Sequence, residues 1–145
     1  MKKYFCSIFM LCAVMVLSGC NSRTLHCTRE NVYSDEMNMD QVLDIKFNGE
    51  TVSNLYTSMK VELGESYVSF KNSLLDSVKN EFKDLEDSKG FKSSYKESDN
   101  GFDYEVKINF KKLNDDEKNN ISIINYENSY ISIRNELEDE GYVCK

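Results

Sequence analysis

The chain has 145 residues, 30% of them charged and 40% hydrophobic, with nine Tyr, eight Phe, no Trp and no Pro, which is material for one globular domain at most. Its 18 basic and 25 acidic residues leave a net charge of −7, scattered rather than blocked, which argues against nucleic acid as a partner. A single histidine, His26, and no glycine-rich phosphate loop leave few catalytic designs open, and no cofactor is expected.

Residues 1–19 have their own composition. Lys2 and Lys3 precede a mostly apolar run from Tyr4 to Leu17 without an acidic residue, the pattern of an export signal. The run is shorter than the about 20 apolar residues that a membrane span needs. It leads into Leu17-Ser18-Gly19-Cys20, which resembles the lipobox of bacterial lipoproteins. The resemblance implies cleavage between Gly19 and Cys20 and a diacylglyceryl group on the sulfur of Cys20. Residues 1–19 are then a lipoprotein signal peptide, 20–24 a lipidated tether, and 25–145 a single globular domain, held at the extracytoplasmic face of the cell membrane. Without Lys2 and Lys3, 16 basic residues face 25 acidic ones, a net of −9. Two acyl chains, at roughly 0.8 kcal/mol per buried CH₂, hold such a body without basic residues. The acidic domain is expected to stand off anionic headgroups on the polar leash Asn21 to Thr24.

Cysteine usage agrees with export. Cys6 and Cys12 fall in the signal and Cys20 takes the lipid, leaving Cys27 and Cys144. An even pair in an exported chain is most simply a disulfide; a metal site of His26, Cys27 and Cys144 with a fourth ligand, or two free thiols, are the alternatives.

In chain order, Leu25 to Tyr33 reads as a first strand, followed by the polar stretch Ser34 to Asn38. Leu43, Ile45 and Phe47 alternate with Asp44 and Lys46, the period of a half-buried strand. Asn48-Gly49 then predicts a tight hairpin turn with positive φ at both positions. Leu55, Met59, Val61 and Leu63 share one parity, with Asn54, Ser58, Lys60 and Glu62 on the other, so the pair is a hairpin.

From Ser66 to Lys89 the spacing changes. Tyr67, Phe70, Leu74, Val78, Phe82 and Leu85 step by three or four between charged residues, predicting an amphipathic helix of about six turns, capped by Ser66 and ended by a left-handed Gly90. This aromatic stripe is core at such a spacing rather than a ligand groove. A second meander follows: Phe91 to Lys96, a turn at Asn100-Gly101, and a strand in which Phe102, Tyr104, Val106, Ile108 and Phe110 alternate with polar residues. Asn114 and Glu117 have the spacing of a capping box and predict a short helix or turn in preference to a cation site. Ser129 to Glu140, with Tyr130, Ile133 and Leu137 at helical spacing, is the last helix, stopped by Gly141. A Cys27–Cys144 bond would lay the tail beside the first strand. The whole is an α+β fold, an antiparallel sheet of about five or six strands in two meanders, packed against one long helix and a C-terminal helix.

The lipobox Leu17 to Cys20, Cys27-Thr28 near the mature start, the order of elements, and the ending Gly141 to Lys145 together resemble the YehR-like lipoproteins of unknown function, a group common in low-GC Gram-positive bacteria. The resemblance implies a fold and an address, with the cysteine pair carried from the Gram-positive branch. It implies no reaction, because the group has none established.

Three functions are open at this stage. The first is a non-enzymatic envelope lipoprotein, a binding or accessory module that touches the membrane through Cys20 and meets another envelope protein or a wall polymer. It follows from the absence of an HExxH, CxxC or lipase-type GxSxG motif and of a base beyond His26. The second is a wall-directed hydrolase with paired carboxylates, which needs an acid of raised pKa in a cleft. The third is binding of a divalent cation or cationic peptide by the acidic end of the last helix, where Glu136, Asp139 and Glu140, with Glu138, crowd the negative pole of the helix dipole.

Overall fold

The computed structural model describes residues 22–34 and 36–145; the span 1–19 read as a signal peptide, with the expected cleavage and lipidation positions Gly19 and Cys20, lies outside them. β1 (Ser22–Ser34), β2 (Met37–Asn48), β3 (Thr51–Leu63), β4 (Phe91–Ser98), β5 (Gly101–Asn109) and β6 (Val143–Cys144) make one antiparallel sheet in the order β4-β5-β3-β2-β1-β6. The alternation in sequence is the cause: Leu25, Cys27, Leu43, Ile45, Phe47, Leu55, Val106 and Ile108 all fall on one face and are buried. Residues between them, such as His26, Lys46 and Lys107, point the other way and are exposed. The buried face is covered by α1 (Lys71–Glu81) and α3 (Tyr130–Asp139), whose Leu75, Ile133 and Leu137 join the same core, while the short α2 (Asp115–Asn119) buries no residue of its own. Among the described residues no helix covers the other face of the sheet.

β1 begins inside the span read as a tether. Ser22, Arg23 and Thr24 pair with Asn48, Phe47 and Lys46, so these three residues belong to the sheet and not to a free tether. Both hairpin turns sit one residue away from their expected places. In the first, Asn48 pairs with Thr51, so the turn residues are Gly49 and Glu50, and only Gly49 has positive φ, at 65°. In the second, Ser98 pairs with Gly101, so the turn is Asp99-Asn100. Gly101 has no positive φ. It is a glycine because an added Cβ would lie 1.9 Å from the carbonyl oxygen of Val61 on β3.

The long helix is shorter than expected. A 3₁₀ turn at Val68–Phe70 leads into α1, which stops at Glu81, and Lys83–Leu85 is a second 3₁₀ turn. Phe82, Leu85 and Ser88 are all buried, and their spacing of three lines up in a 3₁₀ helix but drifts around an α-helix. The break lets Phe82 stack on Phe91 at 5.8 Å between centroids and approach Tyr104 at 6.3 Å. At the front of the segment Tyr67 and Phe70 are exposed and Leu75 faces the core in their place. Neither end is capped as expected: α1 has no side-chain cap and Gly90 lacks positive φ.

The capping box at Asn114 forms in full, with Asn114 Oδ1 accepting from the Glu117 N–H and Glu117 Oε2 accepting from the Asn114 N–H. α3 starts at the Ser129 cap and ends before Gly141, φ 92°. The tail then pairs with β1, Cys27 opposite Cys144, with their sulfurs 1.99 Å apart. Backbone bonds between His26 and Lys145 extend this pairing in both directions, at 3.2 and 2.8 Å.

Candidate functional site

α1 packs over β5 and α3 over β1, and between them the middle of the sheet is left partly uncovered. Strand positions there keep the inward parity but are not apolar: Arg29 on β1, Gln41 on β2 and Thr57 on β3, each half-buried. They line a gap of about 240 Å³ whose other walls include Glu81 at the end of α1, Tyr104 and Tyr142.

Arg29 is held from several sides. Its Nε donates to Gln41 Oε1 at 2.9 Å, Nη2 donates to the same oxygen, and Nη1 donates to the Glu140 carbonyl at 3.1 Å. Its guanidinium lies 4.4 Å over the Tyr142 ring, and the Tyr142 hydroxyl donates to Gln41 Oε1 at 3.3 Å. Three of five guanidinium N–H groups are thereby used, leaving two for a ligand. No carboxylate forms an ion pair with Arg29 among the described residues.

Glu81 is its counterpart across the gap. Desolvation raises its pKa above the ordinary glutamate value, with no cation close enough to offset the effect. Burial likewise raises Tyr142, against a smaller opposing pull from Arg29, and it raises Tyr104, against a hydrogen bond with Ser93. Glu81 is itself exposed at the rim of the gap. The site therefore presents a half-buried cation and, at its mouth, a partly desolvated acid, each without an ion-pair partner among the described residues, framed by two phenols and by the apolar Phe82 and Met59.

None of these residues stood out as a site in the sequence. The signal was a fault in the alternation, since Arg29, Gln41 and Thr57 occupy apolar positions on three neighbouring strands. The residues that did stand out lie elsewhere. His26 faces the open side of the sheet, its Nδ1 hydrogen-bonded to Asp44 Oδ1, while Cys27 faces the core. The strand pleat thus separates His26 from the cysteine pair. Glu136 accepts from Asn128 Nδ2 at 2.6 Å and Glu138 pairs with Arg134 at 2.9 Å. Asp139 and Glu140 are exposed, and among the described residues no three His, Cys, Asp or Glu side chains converge as a metal site. The acidic helix end meets the gap only through Glu140.

No family model matches the chain, and no curated protein matches it. In structure it is similar to a protein from Streptococcus pneumoniae TIGR4 solved by NMR, with a TM-score of 0.54 over 86% of this chain and 85% of that one, at 13% sequence identity. At that identity the likeness reaches the α+β fold and nothing finer.

Proposed function

We propose that the protein is a lipid-anchored envelope lipoprotein of the YehR-like kind that works without catalysis, as a binding module, and that its ligand is a small zwitterion such as an amino acid or short peptide. The observation that carries the ligand reading is the pair Arg29 and Glu81, which line one recess without pairing with each other or with any other charge among the described residues. A carboxylate is suited to the two spare N–H groups of Arg29, and an ammonium group is suited to Glu81. The tyrosines supply amphipathic walls, and the volume of about 240 Å³ lies below the roughly 300–1,000 Å³ of drug-sized sites, which restricts the ligand to a small one. Membrane attachment rests on the lipobox.

Two measurements test the reading. Metabolic labelling with a clickable fatty acid should mark the wild-type chain and fail to mark Cys20→Ala, which should leave the membrane fraction. NMR titration with amino acids and dipeptides should shift the amides around Arg29, Gln41 and Glu81. Arg29→Met should weaken binding of every carboxylate ligand, and Glu81→Gln should weaken amino acids more than their N-acetyl forms. Ligands that bind equally to both variants, or shift only amides outside the gap, would refute the assignment.

A further inference from the structure

The open face of the sheet has a charge pattern that the net charge of the chain conceals. At the end where β1 begins, Lys46, Lys92 and Lys107 on three strands, with Lys89 and Lys112 from the adjoining turns, ring a shallow hollow of about 520 Å³. All five are exposed, and none forms an ion pair among the described residues. Asp44 is the one acid in this lining, and it is engaged with His26. Tyr56 forms part of the floor, with Lys107 Nζ 5.7 Å from its ring centroid.

The far end of the same face is different. There Glu30, Asp40 and Asp103 alternate with Lys60 and Lys96 across the strands, and Lys60 is paired with Glu62 at 2.7 Å. Lys96 there forms no ion pair among the described residues but lies opposite Asp103 on the ladder, whereas at the end from which the chain runs back toward Cys20 no acid lies opposite Lys46, Lys92 or Lys107.

We propose that this basic end of the open sheet face seats on the anionic phosphodiester headgroups of the bilayer that holds the protein. The inference rests on the lipid-anchored reading. Lys46 pairs across the ladder with Thr24, four residues after Cys20. Those four residues span at most about 14 Å fully extended, and a lysine side chain reaches further still. The lysine row is thereby confined near the surface, within one or two Debye lengths, which are about 8 Å each at physiological salt. A body with a net charge of −9 after cleavage is repelled by an anionic surface if its charge is spread evenly. A body with a basic end beside its anchor turns that end down and its acids outward. Each lysine brought into an anionic surface field favours the seated orientation roughly fivefold, and Tyr56 is the kind of aromatic side chain that sits at a headgroup level.

The test uses the full lipid-bearing chain reconstituted in vesicles of phosphatidylcholine alone, or of equal parts phosphatidylcholine and phosphatidylglycerol, with lysine acetylation read by mass spectrometry. Phosphatidylglycerol should lower acetylation of Lys46, Lys89, Lys92, Lys107 and Lys112 at least fivefold, leave Lys60 and Lys96 unchanged, and lose its effect in high salt. A Lys92→Gln, Lys107→Gln variant should keep its circular dichroism and lose most of the protection at the other three. Equal acetylation in both vesicles would overturn the proposal. So would protection by soluble polyglycerol phosphate without protection by phosphatidylglycerol vesicles, which would mark a site for a wall polyanion. Flotation with pure phosphatidylcholine reads the lipid anchor separately: a chain that fails to float there refutes the anchor, while its footprint on phosphatidylglycerol still decides the face.

Discussion

Removing the Cys27–Cys144 crosslink should lower the stability of this domain by several kcal/mol, about what loop closure supplies. The bond closes a loop of 117 residues, and chain-entropy arithmetic for such a loop gives about 4.9 kcal/mol at 25 °C. Little else ties the tail, because β6 is only two residues long and its pairing with β1 is completed by the backbone bonds of Lys145. Unfolding entropy of about 2.1 cal/mol/K per residue converts that loss into a fall in Tm of roughly 15–20 °C for a domain of this size. The assay is thermal unfolding by circular dichroism and calorimetry of the oxidised protein, the same protein in a phosphine reductant, and a Cys27→Ala, Cys144→Ala variant. Reduction leaves side-chain volume almost unchanged, so it isolates the crosslink, whereas the alanines add a small cavity at Cys27, which is fully buried. Alkylation under denaturing, non-reducing conditions fixes the starting state. A fall below about 5 °C on complete reduction would refute the loop-closure argument, and two free thiols in protein taken directly from the producing cells would refute the bond itself.

Glu81 has its folded pKa raised by desolvation, so the folded state prefers the neutral acid, and the cost of ionising it is absent below the ordinary glutamate pKa and complete above the raised one. Because Glu81 is exposed and partly screened by solvent, Glu81→Gln should raise Tm only slightly at neutral pH and leave it unchanged in acid; an equal effect at both would show that the carboxylate is not desolvated. Asn114→Ala should cost about 1 kcal/mol through loss of the N-cap, measured by urea unfolding. Because hydrogen bonds from Ser88 and then from the Asn114 N–H lower the pKa of Glu117, the stability that Glu117 adds should be present above the ordinary glutamate value and vanish as pH falls through the lowered one. Gly101→Ala forces a Cβ against the Val61 carbonyl and should cost at least about 2 kcal/mol, an overpacking of backbone that neighbouring side chains have no means to relieve; a neutral result would mean that β3 and β5 separate freely at that end.

The strands were legible because a half-buried sheet imposes a two-residue period that the sequence must obey locally. Leu43, Ile45 and Phe47, and Phe102 to Phe110, declare the buried face without reference to anything distant, and the Asn114 box and the Ser129 cap are local in the same way. The turns shifted by one residue because register is settled between strands. Gly101 answers to the carbonyl of Val61, forty residues earlier, and not to its own backbone angle. The long helix broke at Phe82 because its last buried residues must reach Phe91 and Tyr104, which a pattern of threes and fours does not reveal. The gap was hidden for the same reason. Arg29, Gln41 and Thr57 look like lapses in three separate alternations until the sheet places them side by side, and Glu81 becomes their neighbour only when α1 ends above them. Charge shows the contrast most directly. Composition fixes the acidity of the whole chain, but the meeting of Lys46, Lys92 and Lys107 at one end of one face depends on strand order and pairing, because electrostatic fields depend on where charges sit and composition records only how many there are.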